Sequence, residues 1–367
     1  MNRKKISIAL LVPSLQSGGM ERVMSELANY FSTLRFVDVH LVLFGKKPEL
    51  FYSIHNSVSV HKAPFGFNDR LRVIEFLKRL YYIRSKIKNI DPDVALSFGT
   101  QWNNMTLLAL QGTKIPVFVS DRGSPERIYK KTQEVLRSIL YPKTAGIIAQ
   151  TDTAKKLLKK RFPSSDIETI GNPIRQISTN QYSKRENIIL SVGRLIETKH
   201  HDRLIEIFSK LDAPDWKLLI AGANALNENN FNILEDKIES LGLQDRVELL
   251  GRVQNVDAIY SKSKIFAFTS SVEGFPNVVG EALSAGCPVV SYDCIAGPSE
   301  MIENGINGFL VEVFDDSTFQ NSLQELINDE KLAERMSKNA INSIDKFSVK
   351  KIGEKYLKFL ISKINNT

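Results

Sequence analysis

Two glutamates, Glu273 and Glu281, are separated by seven residues in Thr269-Ser-Ser-Val-Glu-Gly-Phe-Pro-Asn-Val-Val-Gly-Glu-Ala-Leu-Ser-Ala-Gly286. An apolar run over Ile265–Phe268 leads into a loop shaped by Gly274, Phe275 and Pro276. Pro276 suits the first turn of a helix, where its missing N–H would lack a partner anyway. Val278, Val279, Ala282 and Leu283 then repeat at helical spacing, and Gly286 is placed to stop the helix. Glu273 therefore belongs to the loop at the helix N-terminus, and Glu281 lies about two turns further on. Two carboxylates on one strand–loop–helix unit, beside free backbone N–H groups, can grip the hydroxyls of a sugar and a ribose with a phosphate between them. A solvated surface pair is the plainer alternative, and the shaped loop between the two glutamates argues against it.

Other residues are of the same chemical kind. Ser191-Val-Gly-Arg-Leu-Ile-Glu-Thr-Lys199 follows a strand pattern. Arg194 offers a planar fork of donors and Lys199 a mobile point charge, the complementary pair for a diphosphate. Ser17-Gly18-Gly19-Met20-Glu21-Arg22 follows the first strand pattern and opens a helix. A turn of small residues there lets a phosphate approach backbone amides at the positive end of the helix dipole, although such turns also serve tight packing. Asp121 and Arg122 close another strand pattern, as a site pair or a structural salt bridge. Arg252 and Val253 follow a further strand and could border a base pocket. Asn172-Pro173 reads as a hinge.

The elements that must carry these residues alternate between β-rich runs and helical patterns, which is the rhythm of parallel α/β sheets. The first half offers strands at Ile6–Val12, Val37–Phe44, Val94–Phe98, Val117–Ser120 and Gly146–Ala149. The second offers Ile188–Val192, Lys217–Ala221, Val247–Leu250, Ile265–Phe268, Val289–Ser291 and Phe309–Val311. At 367 residues two domains are the default. The expected division is 1–175, 176–345, and a closing segment over 346–367 with Ile352, Tyr356 and Leu360 at helical spacing. Two Rossmann-like domains facing each other would place a ligand between the carboxyl ends of both sheets.

Charge narrows the partners. Residues 1–186 carry 30 Lys/Arg against 15 Asp/Glu, whereas residues 187–367 carry 19 against 26. The first half should therefore meet something anionic. Nucleic acid is disfavoured because no helix-turn-helix, zinc-finger or RNA-binding signature is present. An anionic membrane remains. From Asp69 to Asn89, Leu71, Ile74, Leu77, Leu80 and Tyr81 recur at helical spacing, and Arg70, Arg72, Lys78, Arg79, Arg84, Lys86 and Lys88 share the helix. That resembles an interfacial amphipathic helix; a core-packed helix with a solvated basic face fits the same spacing. The apolar start Ile6–Val12 is short, ends at Pro13 and lacks a cleavage site, so a core strand is expected there and not a signal peptide. Cys287 and Cys294 are the only cysteines and have no metal-ligand spacing, which fits a reducing cytoplasm.

Taken together, Glu273-x7-Glu281, Gly193-Arg194-x4-Lys199, the early Ser-Gly-Gly-x-Glu-Arg, Asn172-Pro173 and Leu250-Gly-Arg-Val-Gln-Asn-Val resemble glycosyltransferase family 4 over nearly the whole chain. The resemblance implies the GT-B arrangement, a nucleoside-diphosphate sugar donor, most simply UDP-linked, retention of anomeric configuration, and no cofactor or required metal. Carried over, Glu273 with the backbone of Gly274, Phe275, Pro276, Asn277 and Val278 would hold the sugar, and Glu281 the ribose. Arg194, Lys199 and the Gly18–Gly19 turn would hold the diphosphate. The closing helix would cross back onto the first domain. Many relatives carry a histidine where this chain has Asp121-Arg122, and arginine is no base at neutral pH. The expected product is a lipid-linked or cell-surface glycan, made peripherally on the inner face of the plasma membrane. A catalytically silent nucleotide-sugar-binding protein is the alternative.

Overall fold

The computed structural model describes residues 5–16, 18–46, 50–66, 69–177, 185–225 and 228–364. Two compact units result, one of Met1–Pro173 with Val349–Thr367 and one of Ile174–Ser348.

In the first unit the strands are β1 (Ile6–Val12), β2 (Val37–Leu43), β3 (Ser59–Lys62), β4 (Val94–Phe98), β5 (Val117–Ser120), β6 (Gly146–Ala149) and β7 (Ile167–Thr169). All pair in parallel in the order β3-β2-β1-β4-β5-β6-β7. The order reverses beside β1, so the loops leaving β1 and β4 diverge and open a crevice at the strands' carboxyl ends. The helices are α1 (Gly19–Ser32), α2 (Arg72–Ile90), α3 (Thr100–Ala109), α4 (Lys131–Leu140) and α5 (Asp152–Arg161). The closing helix, Val349–Ile361, buries Ile352, Tyr356 and Leu360 in this unit. Its Gly353 lies so close to Tyr30 of α1 that a methyl group there would stand 2.2 Å from the ring.

α2 packs mainly by residues outside the expected apolar stripe. It meets the core through Tyr82, Ile83 and Ile87. Most of the apolar face expected from the spacing stays in solvent, with Ile74 47%, Leu77 57% and Tyr81 75% exposed, joined by Val73 at 73%, while Leu80 packs against the core. Arg84 must be removed from the expected basic surface. Its Nη1 donates to Ala109 O (2.8 Å) and Gln111 O (2.9 Å), so it caps the C-terminus of α3, where cations are favoured.

In the second unit the strands are β8 (Glu186–Val192), β9 (Lys217–Ala221), β10 (Val247–Gly251), β11 (Ser263–Phe268), β12 (Val289–Tyr292) and β13 (Gly308–Val311), parallel in the order β10-β9-β8-β11-β12-β13. Here the order reverses between β8 and β11. The helices are α6 (His201–Ser209), α7 (Asn230–Ser240), α8 (Val256–Lys262), α9 (Asn277–Ser284), α10 (Pro298–Met301), α11 (Asp316–Asn328) and α12 (Glu330–Ser343). Phe208, Trp216, Tyr292 and Phe319 anchor the core. α9 ends as its sequence dictates. Gly286 takes φ +75°, its N–H reaches Leu283 O and the Cys287 N–H reaches Ala282 O, the paired bonds of a left-handed helix stop. At the other end, α9 starts at Asn277, so Pro276 is the residue before the helix and not part of its first turn.

Candidate active site

The reversal between β8 and β11 brings two loops together, Gly193–His200 after β8 and Thr269–Pro276 after β11. Lys199 Nζ forms an ion pair with Glu273, each side chain 15% exposed, and sits 5.0 Å from the Phe268 ring. The loops are also joined through Thr269 Oγ1 donating to Lys199 O (2.8 Å), Ser270 Oγ to Thr198 O (3.2 Å) and the Ser271 N–H to Thr198 O (3.0 Å). Arg194 projects into solvent from the same β8 loop. The backbone behind it is fixed by Gly193 N–H to Ala221 O and Leu195 N–H to Ala223 O, both 3.0 Å. The approach is close enough that a methyl group on Gly222 would stand 1.7 Å from Gly193 O.

His201 lies buried beside this loop, 4% exposed, and neither nitrogen of its ring has a hydrogen-bond partner within bonding distance among the described residues. Burial, reinforced by the Lys199 charge, lowers its pKa to about 4. An unfolded histidine titrates near 6.5, so the neutral ring stabilises the fold fully above about pH 6.5 and progressively less as the pH falls toward about 4. Chemical unfolding of wild type should lose about 2 kcal/mol more than His201→Gln between pH 7.5 and 5. Parallel losses in the two chains would assign the acid sensitivity elsewhere.

Glu281, 3% exposed on α9, accepts a hydrogen bond from the buried Tyr260 hydroxyl at 3.3 Å. Phe275 packs against Phe347 (5.6 Å between centroids), and a methyl group on Gly297 would stand 2.1 Å from Pro276 Cδ, which fixes the Gly274–Asn277 turn. The Cys294 thiol, close enough to Glu273 to feel its charge, is pushed up to about 12, chiefly by burial, and so stays protonated. Arg252 is exposed and Val253 half-buried beyond β10, the edge strand, two strands away from β8.

The first unit holds a second polar group at its own carboxyl ends. The Gly18 N–H and C=O both bond the Tyr52 hydroxyl (3.2 and 3.0 Å). The Glu21 side chain folds back over Gly18, and its carboxyl pKa is raised by burial, against its own backbone hydrogen bond and the charge of Arg122. Arg122 stacks over Phe98 at 4.3 Å and donates to Asn172 Oδ1 (2.6 Å) and the Tyr356 hydroxyl (3.2 Å). Asp121 points away from it. The Asp121 carboxylate pairs with Arg137 and accepts from Thr100, Asn103 and Tyr141, which makes it an anchor of the β5 end. Tyr260, Gly222 and His200 complete these groups without having been singled out in the sequence, where no motif marks them, and Tyr356 was marked there only as a packing position of the closing helix.

Two family descriptions match the chain: Glycosyltransferase Family 4 over residues 17–175 and Glycosyl transferases group 1 over residues 174–343. The N-acetylgalactosamine-N,N'-diacetylbacillosaminyl-diphospho-undecaprenol 4-alpha-N-acetylgalactosaminyltransferase of Campylobacter jejuni is 30% identical, covering 96% of this chain and 99% of the relative. A second transferase of the same bacterium, which adds alpha-1,4-N-acetyl-D-galactosamine to a longer undecaprenol-diphosphate-linked glycan, is 28% identical over 98% of this chain and 99% of its own. Among solved structures, that of the Anabaena protein HepE in complex with UDP and glucose has a TM-score of 0.78 at 19% identity, covering 97% of this chain and 100% of the other. That likeness establishes the fold, two Rossmann-like halves in the GT-B manner.

Proposed function

Because this chain belongs to glycosyltransferase family 4 and is a hexosyltransferase, we propose that it moves a sugar from a UDP-linked donor to a diphosphate-lipid-linked oligosaccharide, with retention of configuration and without a metal ion. The observation that carries this reading is the Lys199–Glu273 pair at the strand-order reversal, with Arg194 on the same loop and Glu281 buried on the following helix. Arg194 and Lys199 neutralise the diphosphate as it leaves, Glu273 and the turn before α9 hold the sugar, and Glu281, fixed by Tyr260, takes the ribose hydroxyls. The bond from the sugar's anomeric carbon to the diphosphate oxygen breaks. The acceptor hydroxyl bonds that carbon on the same face, and its proton passes to the departing phosphate oxygen. No side-chain base is then required, which accords with an arginine at position 122.

Thermal unfolding in the presence of nucleotide sugars tests the donor. A ligand at about 100 times its Kd adds about 2.7 kcal/mol, so UDP-sugars should raise Tm and chelator should leave that shift unchanged. Stabilisation by GDP- or ADP-sugars alone would refute the donor assignment, and its loss on chelation the metal-free one.

For the acceptor, the reading draws on the names of the Campylobacter relatives and on α2. That helix presents Val73, Ile74, Leu77 and Tyr81 beside the exposed Arg70, Arg72, Lys78 and Lys88, the composition of a helix lying in an anionic lipid surface. Among the described residues no helix is long and apolar enough to cross a membrane. Each basic residue near such a surface contributes about 1 kcal/mol. Changing Arg70, Arg72, Lys78 and Lys88 together to Gln should therefore release the protein from anionic vesicles in co-sedimentation, and high salt should do the same to wild type. Unchanged binding by the variant, or no binding by wild type, would remove the membrane from this account.

A further inference from the structure

His200 has a backbone that suits glycine better than histidine. It takes φ +50°, ψ +42°, ends the Glu197–Lys199 turn and precedes α6, yet its side chain makes no capping bond to that helix. The left-handed conformation disfavours a Cβ, so the ring has some other use. Its Nε2 lies 2.7 Å from Ser271 Oγ, across the gap between the two loops, two residues from Glu273 and one from Lys199. Its own carbonyl accepts from Thr269 Oγ1 at 3.3 Å. The far side of the ring meets Phe314 edge-on at 5.0 Å, and Phe314 is itself left-handed, with φ +73°. Arg203 lies 4.9 Å over Phe314 and is held by Asp316 at 2.7 and 3.2 Å; Tyr292 bonds the same carboxylate. Two strained residues thus back onto each other and are braced by a salt bridge and a buried tyrosine, an arrangement that persists only where the surroundings over-determine it.

We infer that His200 is a positioning residue for sugar transfer, latching the Lys199 loop to the Glu273 loop through Ser271 so that the ammonium and the carboxylate meet the donor in register. The turn from β13 into α11, through Phe314, braces the latch. This rests on the assignment of Lys199 and Glu273 to the donor. A merely structural histidine and a latch predict different results on substitution. His200→Gly relieves the backbone and removes the ring, so Tm should be unchanged or higher. Turnover at saturating donor should nevertheless fall on the order of 10- to 100-fold, the cost of a misplaced reacting group. His200→Gln, which can still reach Ser271, should recover most of that turnover. Ser271→Ala should match the His200→Gly loss, and the double variant should be no slower than either single one, as expected of a shared interaction. Near-normal turnover in His200→Gly, a loss accompanied by a fallen Tm, no recovery in His200→Gln, or additive losses in the double variant would overturn the latch. Lys199→Ala, assayed alongside, separates the two levels. Full activity there would refute the donor assignment itself, whereas a slow Lys199→Ala with a fast His200→Gly would refute the latch alone.

Discussion

Arg194→Ala is expected to lower turnover roughly 100- to 1000-fold at saturating donor, the usual cost of removing one preorganised donor aimed at developing charge. The side chain is exposed and the loop is held by backbone bonds to Ala221 and Ala223, so the variant should fold and unfold as wild type does. That separation makes the variant informative. A guanidinium that only decorated the surface could be removed at no cost in rate. Lysine at the same position should recover part of the loss, because it keeps the charge but not the planar fork. Near-normal turnover of Arg194→Ala would take the diphosphate away from this loop.

The two glutamates should separate on substitution. Glu273 faces Lys199 in a half-open position, and Glu281 is enclosed with Tyr260. Glu273→Gln removes a charge that acts on the transferred sugar, so turnover should fall far more than affinity for free nucleoside diphosphate. Glu281→Gln touches the ribose that donor and product share, so both should bind more weakly. A hydrogen bond to a charged group contributes about 1.5–3 kcal/mol, so a loss of roughly 10- to 100-fold is expected in each case. Isothermal titration with UDP, run beside steady-state kinetics, reads both. Equal loss of UDP affinity in the two variants would contradict the division of roles.

Much of this arrangement was legible before the fold. β1, β4, β5, β6 and β9 begin and end where the sequence places them, because buried parallel strands read as short, predominantly apolar stretches. β3 and β7 were missed, since both are short edge strands with solvent-facing residues and carry little of that signal. Glycine and charge marked the β8 and β11 loops, but the partners that complete them are set by tertiary contact. Tyr356 reaches Arg122 across 234 positions and Ser271 reaches His200 across 71, distances over which no local pattern speaks. Gly222 looks like any loop glycine until the Gly193 carbonyl is seen against it. In α2 the helical period was legible, but period alone does not say which face packs. Tyr82, Ile83 and Ile87 took the core, and Arg84 turned to cap α3.

Proton NMR of the reaction itself tests sugar transfer most directly, with purified protein, a UDP-α-sugar and an undecaprenyl-diphosphate-linked oligosaccharide followed in one tube. The anomeric signal of the donor should be replaced one for one by an α-glycosidic signal on the acceptor, with an equal amount of UDP released and no divalent metal added. A β-glycosidic product, or UDP-sugars left unconsumed while another nucleotide sugar is used, would contradict it.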